Sequence, residues 1–195
     1  MARLQDILLQ AALLFSQRGY HATSMRELAQ AVHLQGGSLY NHIESKEELL
    51  RRIVLEAADQ FDAALEPIAL SKAPPPQRLR EALRAHLGVV ARNRAWAKVF
   101  FDEWKHLSPS HYEEILERRR KVERIYQDLL REGVQQGWFR SDLDLSLATI
   151  LLLSAANWTY QWFQPEGRLS AEEVADTFAD LLLHGFLNNE ERASS

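Results

Sequence analysis

The chain has 195 residues, 46% of them hydrophobic, with 23 Lys and Arg against 27 Asp and Glu for a net charge of −4. That length admits one large domain or a small one joined to a larger one, and the apolar share suits a folded core. Cysteine is absent, which excludes disulfides, thiolate metal sites and cysteine nucleophiles.

Leu4, Ile7, Leu8, Ala11, Leu14 and Phe15 recur at helical spacing and stop at Gly19, which predicts a first helix ended by glycine. Ser24-Met-Arg-Glu27 is a capping box that opens a short second helix carrying Met25, Leu28, Ala29 and Val32. A third short helix is expected from Gln35-Gly-Gly37, with Leu39, Tyr40 and Ile43 on it. Ser45-Lys-Glu-Glu48 is a second capping box, and a long fourth helix follows to about Ala69. Pro74-Pro-Pro76 breaks the chain. Beyond it helices are expected over Gln77–Asn93, Ala95–His106, Ser110–Gln136, Asp144–Phe163 and Ser170–Asn188, two of them opened by Ser110-His-Tyr-Glu113 and Ser170-Ala-Glu-Glu173. The fold class is all-α: a three-helix head in residues 1–50 and a helical body in residues 51–190.

The first residues run straight into this amphipathic pattern, so no export signal is read there. The longest apolar stretch, Ala148 to Ala156, is interrupted by Thr149 and Ser154 and is too short for a membrane span. A cytoplasmic protein without membrane contact is expected. Asn157-Trp158-Thr159 matches a glycosylation acceptor, but it falls within a helical stretch and reads as a chance match.

Two short helices joined by a three-to-four-residue turn are what a helix-turn-helix requires, the second placing exposed residues in the major groove. Residues 27–46 supply that pattern. If Leu39 and Ile43 are buried, Gln35, Gly36, Ser38 and Asn41 face other ways and can meet base edges or phosphates. Gln and Asn pair bidentately with adenine, and glycine allows close backbone approach. Ser24 and Gly37 complete this DNA-facing set. Lys46 opens a helix N-terminus, where dipole and free amides favour a phosphate. Charge alone would not mark this head. Residues 1–52 carry six Lys and Arg against five acids, and the remainder 17 against 22. Binding would rest on a dimer doubling the contacts and on neutral donors to phosphate.

Gly37-Ser-Leu-Tyr40-Asn-His42 followed by Ser45-Lys46-Glu-Glu-Leu49 resembles the signature of the TetR family of bacterial repressors. The resemblance covers about a quarter of the chain. It implies that Tyr40 and His42 contact backbone phosphates and that Lys46 meets a phosphate from the fourth helix. This chain carries His33, Gly36 and Ile43 where the family often has Gly, Lys and Phe.

All five tryptophans lie after residue 90. A helical body this aromatic suits an apolar ligand pocket, with core packing as the plain alternative. The candidate lining residues are Trp96, Phe100, Phe101, Trp104, Asn157, Trp158 and Trp162. Gly137-Trp-Phe-Arg-Ser-Asp-Leu-Asp144, with the run from Asn157 to Ser170, is similar to a TetR subgroup that senses CoA thioesters in sterol-ring, phenylacetate and fatty-acid breakdown. In its sterol-ring member an Arg and a Trp one helical turn apart serve the ligand. Trp158 matches that Trp, while Ser154 stands at the Arg position. Lys98, Lys105 and Arg118-Arg-Arg-Lys121 are candidate partners for CoA phosphates. The run is flanked by Glu113, Glu114, Glu117 and Glu123 at spacings that suit intrahelical ion pairs, so a solvated face is the default.

Val174, Phe178, Leu181 and Gly185, with Leu182 and Phe186 beside them, join Leu147, Ile150, Leu151 and Ser154 as a candidate two-helix dimer face or a groove against the chain's own core. The expected protein is a homodimeric, ligand-responsive repressor of a palindromic DNA operator, released by a CoA thioester. A TetR-type sensor of another hydrophobic or aromatic compound is the alternative. An enzyme is disfavoured by the lack of His-Glu-x-x-His, a phosphate-cradling glycine loop or a nucleophile elbow. No catalytic residue, metal site or cofactor is assigned. A ligand-independent scaffold with a solid core is the third reading.

Overall fold

The structure is a computed structural model describing residues 4–187. The expected end of the last helix at Asn188 and of the body at residue 190 lie outside the described residues. Among those described there are nine α-helices and no strand, one isolated bridge joining Phe139 to Leu187. The helices are α1 (Leu4–Arg18), α2 (Met25–Ala31), α3 (Gly36–Leu39), α4 (Lys46–Ala69), α5 (Pro75–Arg92), α6 (Arg94–Lys98), α7 (Pro109–Gln135), α8 (Leu145–Trp162) and α9 (Ala171–Phe186). No helix among the described residues is long and apolar enough to cross a membrane.

The chain divides into two compact units. The first takes residues 1–59 and 93–118, the second residues 60–92 and 119–195. In the first, α1 turns Ile7, Leu8, Ala11 and Phe15 inward and packs on α2 and α6. Leu28, Leu39, Ile43, Leu50, Ile53 and Val99 are among its other buried residues. Burying each such side chain contributes about 1.5–3 kcal/mol before entropy is counted. Gly19, at φ +87°, ends α1 as expected.

In the second unit α5 packs on α8 and α9, around Leu79, Leu83, Leu87, Leu152, Ala156 and Phe186. Arg84 grips Asp176 through Nε at 2.5 Å and Nη2 at 2.7 Å, and Arg80 pairs with Asp180. Arg78 is buried where α4 ends. Its Nε donates to the Ile68 carbonyl at 3.1 Å and its Nη1 to Glu132 at 2.7 Å. That arrangement satisfies carbonyls a helix terminus leaves unpaired. Gly133 has to be glycine, because a Cβ there would lie 2.2 Å from the Phe139 ring.

Three of the four serine caps read in the sequence are present, at Ser24, Ser45 and Ser170, the one at Ser110 is not, and Asp144 adds a cap that the sequence reading had not assigned. Ser24 and Ser170 form reciprocal boxes with Glu27 and Glu173, Asp144 caps α8, and Ser45 Oγ accepts the Glu48 amide at 3.1 Å. Three expectations are corrected. The helix expected over Ala95–His106 is broken: α6 stops at Lys98, a π turn spans Val99–Glu103 and a 3-10 turn Trp104–His106. The third helix ends at Leu39, so Tyr40 and Ile43 lie beyond it in a turn closed by the Ile43 amide on the Leu39 carbonyl at 3.1 Å. Helix α7 starts at Pro109, not Ser110, since proline at a first helical position forfeits no hydrogen bond.

Candidate nucleic-acid interface and effector residues

The turn between α2 and α3 is built on an unusual backbone. His33 adopts φ +55°, the left-handed region, and the Leu34 amide reaches back to the Ala29 carbonyl at 2.9 Å. This is the position at which the resemblance noted a family glycine, and the geometry supplies the reason. Helix α3 then starts without a side-chain cap from Gln35. Leu39 and Ile43 are buried to within 1% and pin the segment. Gln35, Gly37, Tyr40, Asn41 and His42 are exposed around that anchor, Tyr40 at 55%, and Ser38 is half-buried. Gly36 is the first residue of α3. A Cβ at Gly37 would meet nothing within 4 Å. Ser24 is exposed and engaged in its cap, its Oγ donating to Glu27 Oε2 at 2.8 Å and accepting the Glu27 amide at 3.2 Å.

Lys46 is less open than its sequence position suggested. Its Nζ donates to the carbonyls of Tyr20 and Thr23, both at 2.8 Å, and lies 4.3 Å from the centre of the Tyr20 ring. Partial burial lowers its pKa. An ammonium has three donors, so one remains after these two bonds.

The other side of the α1–α2 turn meets the segment after α6. Glu103 Oε2 accepts the Tyr20 amide at 3.0 Å, and His21 Nε2 lies 3.0 Å from His106 Nδ1. Burial, then the neighbouring His21, depresses the His106 pKa. Glu47, in the first turn of α4, accepts the Ser108 amide at 2.9 Å and contacts His111 Nδ1 at 2.8 Å. Hydrogen bonds from Ser108 and His111 hold the Glu47 carboxyl down to about 2.

Three of the six cations in residues 1–52 pair with carboxylates. Arg18 pairs with Glu27, Arg51 with Glu114 and Arg52 with Glu48. Arg26 is exposed and forms no ion pair among the described residues. It borders a groove of about 400 Å³ lined by Met25, Arg26, Ala29, Gln30, Leu34 and Tyr40. Arg26 and Gln30 did not enter the sequence-based set. Their signal was available: they stand on the face of α2 opposite the buried Leu28 and Ala29.

The candidate effector residues fall in both units. In the first, Trp96 is 4% exposed and its indole Nε1 has no acceptor among the described residues. Phe100 is buried and stands edge-on to the half-buried Phe101, and Trp104 stacks on Tyr112 with centroids 4.6 Å apart. In the second, Asn157 is half-buried, whereas Trp158 and Trp162 are 61% and 46% exposed.

Asn157 lies near His86, a residue that nothing in the sequence singled out, and favours its charged form. His86 is fully buried beside the Phe61 ring, its Nδ1 3.3 Å from the Tyr126 hydroxyl, which itself donates to the Ala82 carbonyl at 3.1 Å. Burial pushes the His86 imidazole down to about 4.

Two members of the basic run of α7 turn to α4. Arg118 Nη2 reaches Asp59 at 2.5 Å, Lys121 Nζ reaches Asp62 at 3.0 Å, and Lys121 also pairs with Glu66. These partners on α4 were not among those that spacing along the helix suggested.

Residues 7–53 match the bacterial regulatory proteins of the tetR family, and residues 72–186 match a tetracyclin repressor-like C-terminal domain. The HTH-type transcriptional repressor KstR2 of Mycolicibacterium smegmatis is 30% identical over 190 residues, spanning 97% of this chain and 93% of that protein. The crystal structure of the TetR family regulator PfmR from Thermus thermophilus is similar with a TM-score of 0.84 at 39% identity, covering 91% of this chain and 97% of that one. AibR, solved in complex with isovaleryl coenzyme A and operator DNA, is similar with a TM-score of 0.84 at 31% identity, covering 93% and 98%.

Proposed function

The chain belongs to the TetR family of bacterial regulatory proteins, and from that premise we propose a homodimeric repressor that binds a palindromic operator and is released by a CoA thioester. It is a transcriptional regulator and not an enzyme. In this reading residues 1–50 bind DNA and residues 51–190 carry the effector and the dimer face.

The observation that carries the DNA reading is the exposed polar set around the pinned Leu39 and Ile43. Gln35, Gly36, Gly37, Ser38 and Asn41 meet base edges or the adjoining backbone, while Tyr40, His42 and the exposed Arg26 hold phosphates. Ser24 orders the start of α2 against the DNA backbone. Lys46 steadies the α1–α2 turn through two carbonyls and offers its third donor, with the free amides of α4's first turn, to a phosphate. Leu147, Ile150, Leu151, Trp158, Trp162 and Leu181, all exposed on α8 and α9, form the apolar stripe that a second copy covers.

For the effector, the supporting observation is the buried Trp96 N–H, which has no acceptor among the described residues. Leaving such a donor unmade costs about 1–3 kcal/mol, which a ligand carbonyl offsets. Phe100, Phe101 and Trp104, in the same unit as Trp96, supply aromatic contacts. AibR was solved with isovaleryl coenzyme A, and this supports the CoA class; a non-CoA hydrophobe is the second reading. The effector binds better to a conformation with wrongly set heads, and that difference in affinity empties the operator.

A duplex selected by the protein from a random-sequence library provides the test. Tyr40→Ala with His42→Ala should weaken binding about tenfold, equally on the selected and a scrambled duplex, because phosphate contacts carry no sequence information. Gln35→Ala and Asn41→Ala should instead narrow the gap between the two duplexes. Unchanged binding in the first variant would remove the assigned phosphate anchors. A panel of short-chain, long-chain and aromatic acyl-CoAs should then dissolve the complex where free acids and CoA alone do not. Release only by uncharged aromatic drugs would favour the second reading.

A further inference from the structure

A π turn inside a helical run is rare and concentrates at functional sites. Here it occupies Val99–Glu103, with Val99 and Phe100 buried and α1 packed against it. Its last residue holds the loop that leads into α2. Glu103 Oε2 accepts the Tyr20 amide at 3.0 Å and lies 3.5 Å from His106 Nε2. His106 in turn meets His21 Nε2 at 3.0 Å and stacks on the Tyr20 ring, with centroids 5.8 Å apart and planes 12° apart. From the other side Lys46 takes the Tyr20 and Thr23 carbonyls. The backbone of the α1–α2 turn is thus fixed through its amide by Glu103 and through its carbonyls by Lys46. The Ser24 cap of α2 begins one residue later.

The register of the π turn decides where Glu103 points. An α turn accommodates one residue fewer between bonded groups, so a slip of one residue swings a side chain about 100° around the axis. The carboxylate would then leave Tyr20. The buried Trp96, whose N–H has no acceptor among the described residues, lies three residues before this turn on the same segment.

We propose that Glu103 is a positioning residue for DNA binding, and that the Val99–Glu103 π turn is the joint through which its segment sets the α1–α2 turn of the reading head. This rests on the DNA-binding reading above. It goes beyond that reading in naming a residue far in sequence from the helix-turn-helix, one that touches no DNA and sets the element that does.

Glu103→Ala, Glu103→Gln and the wild-type full-length chain decide the matter by three measurements: amide hydrogen exchange at Tyr20, thermal melting, and affinity for the library-selected duplex. Glu103→Ala is expected to speed Tyr20 exchange about tenfold and to weaken duplex binding about tenfold, with melting unchanged. Glu103→Gln is expected to restore both, because its amide oxygen accepts the same N–H. Unchanged affinity in Glu103→Ala overturns the proposal, as does a loss that follows a lowered melting temperature in both variants. If the wild-type chain recovers no duplex at all, the DNA-binding reading itself falls and this proposal with it. Tyr20 exchange then reports only whether the contact exists.

Discussion

The two units offer opposite surfaces. In the unit of residues 1–59 and 93–118, the large apolar side chains other than Leu9 are mostly turned inward and the exposed set around α3 is polar: Gln35, Tyr40, Asn41, His42. In the unit of residues 60–92 and 119–195, polar groups are buried, among them His86, Thr149 and Arg78, and large apolar ones stand exposed on α8 and α9. A polar, weakly charged surface suits a hydrated phosphate backbone whose sequence is read by hydrogen bonds. An apolar stripe suits a partner that brings its own apolar stripe, which a second copy of the chain does. The unit with the exposed hydrogen-bonding residues should therefore lose affinity gradually when one is removed. The second unit should fail abruptly when its apolar stripe receives a charge.

Leu151→Glu puts that contrast under the greatest strain. Leu151 is 51% exposed in the single chain, so a glutamate there costs the isolated fold little. Within a dimer it would bury an unpaired charge, at several kcal/mol. Sedimentation is expected to show monomers, and affinity for the selected duplex should fall by about a hundredfold or more as the second head is lost. A variant that stays dimeric would move the interface elsewhere.

The buried side of the comparison is read by pH. His86 has its pKa lowered from 6.5 to about 4 by burial, so the unfolded chain takes up a proton in a window where the folded chain does not. Stability is unaffected above 6.5 and falls as pH drops from 6.5 towards 4, by up to about 3 kcal/mol. The exposed side has a lower window. Glu47 is held at about 2 against 4.5, so its contribution is present above 4.5 and declines only as pH falls from there towards 2. Urea denaturation at pH 7 and pH 5 should show the loss in the wild type and a much flatter response in His86→Gln. Equal slopes in the two proteins would mean that another group titrates in that window.

The sequence made some of this legible and hid the rest for physical reasons. Ser24, Ser45 and Ser170 announced their helices because a cap is a local bond between residues three apart. The helix-turn-helix was readable for the same reason. The π turn was not, since Trp96, Val99 and Phe100 keep ordinary helical spacing and the turn's last residue bonds Tyr20 across 83 positions of chain. Nor was the fate of Arg118 and Lys121, because spacing rules see acids on the same helix and not Asp59, Asp62 or Glu66 on α4. His86 carries no pattern at all; only burial beside Tyr126 and Phe61 makes it informative.

His33 sharpens the comparison by the smallest step, because there the reading unit tolerates backbone strain just before its exposed set. At φ +55° a side chain with a Cβ is disfavoured by about 1–2 kcal/mol, less for histidine than for branched residues. Glycine relieves that strain but gives the unfolded chain more freedom, which offsets part of the gain. His33→Gly should therefore stabilise the protein by about 0.5 kcal/mol, and His33→Val should destabilise it by about 1 kcal/mol or more. Duplex affinity should follow the same order, since the turn fixes α3 relative to α2. If glycine and valine destabilise alike, the imidazole and not the backbone governs this turn. The difference between this chain and the family's usual glycine would then be a matter of side-chain contact rather than of strain.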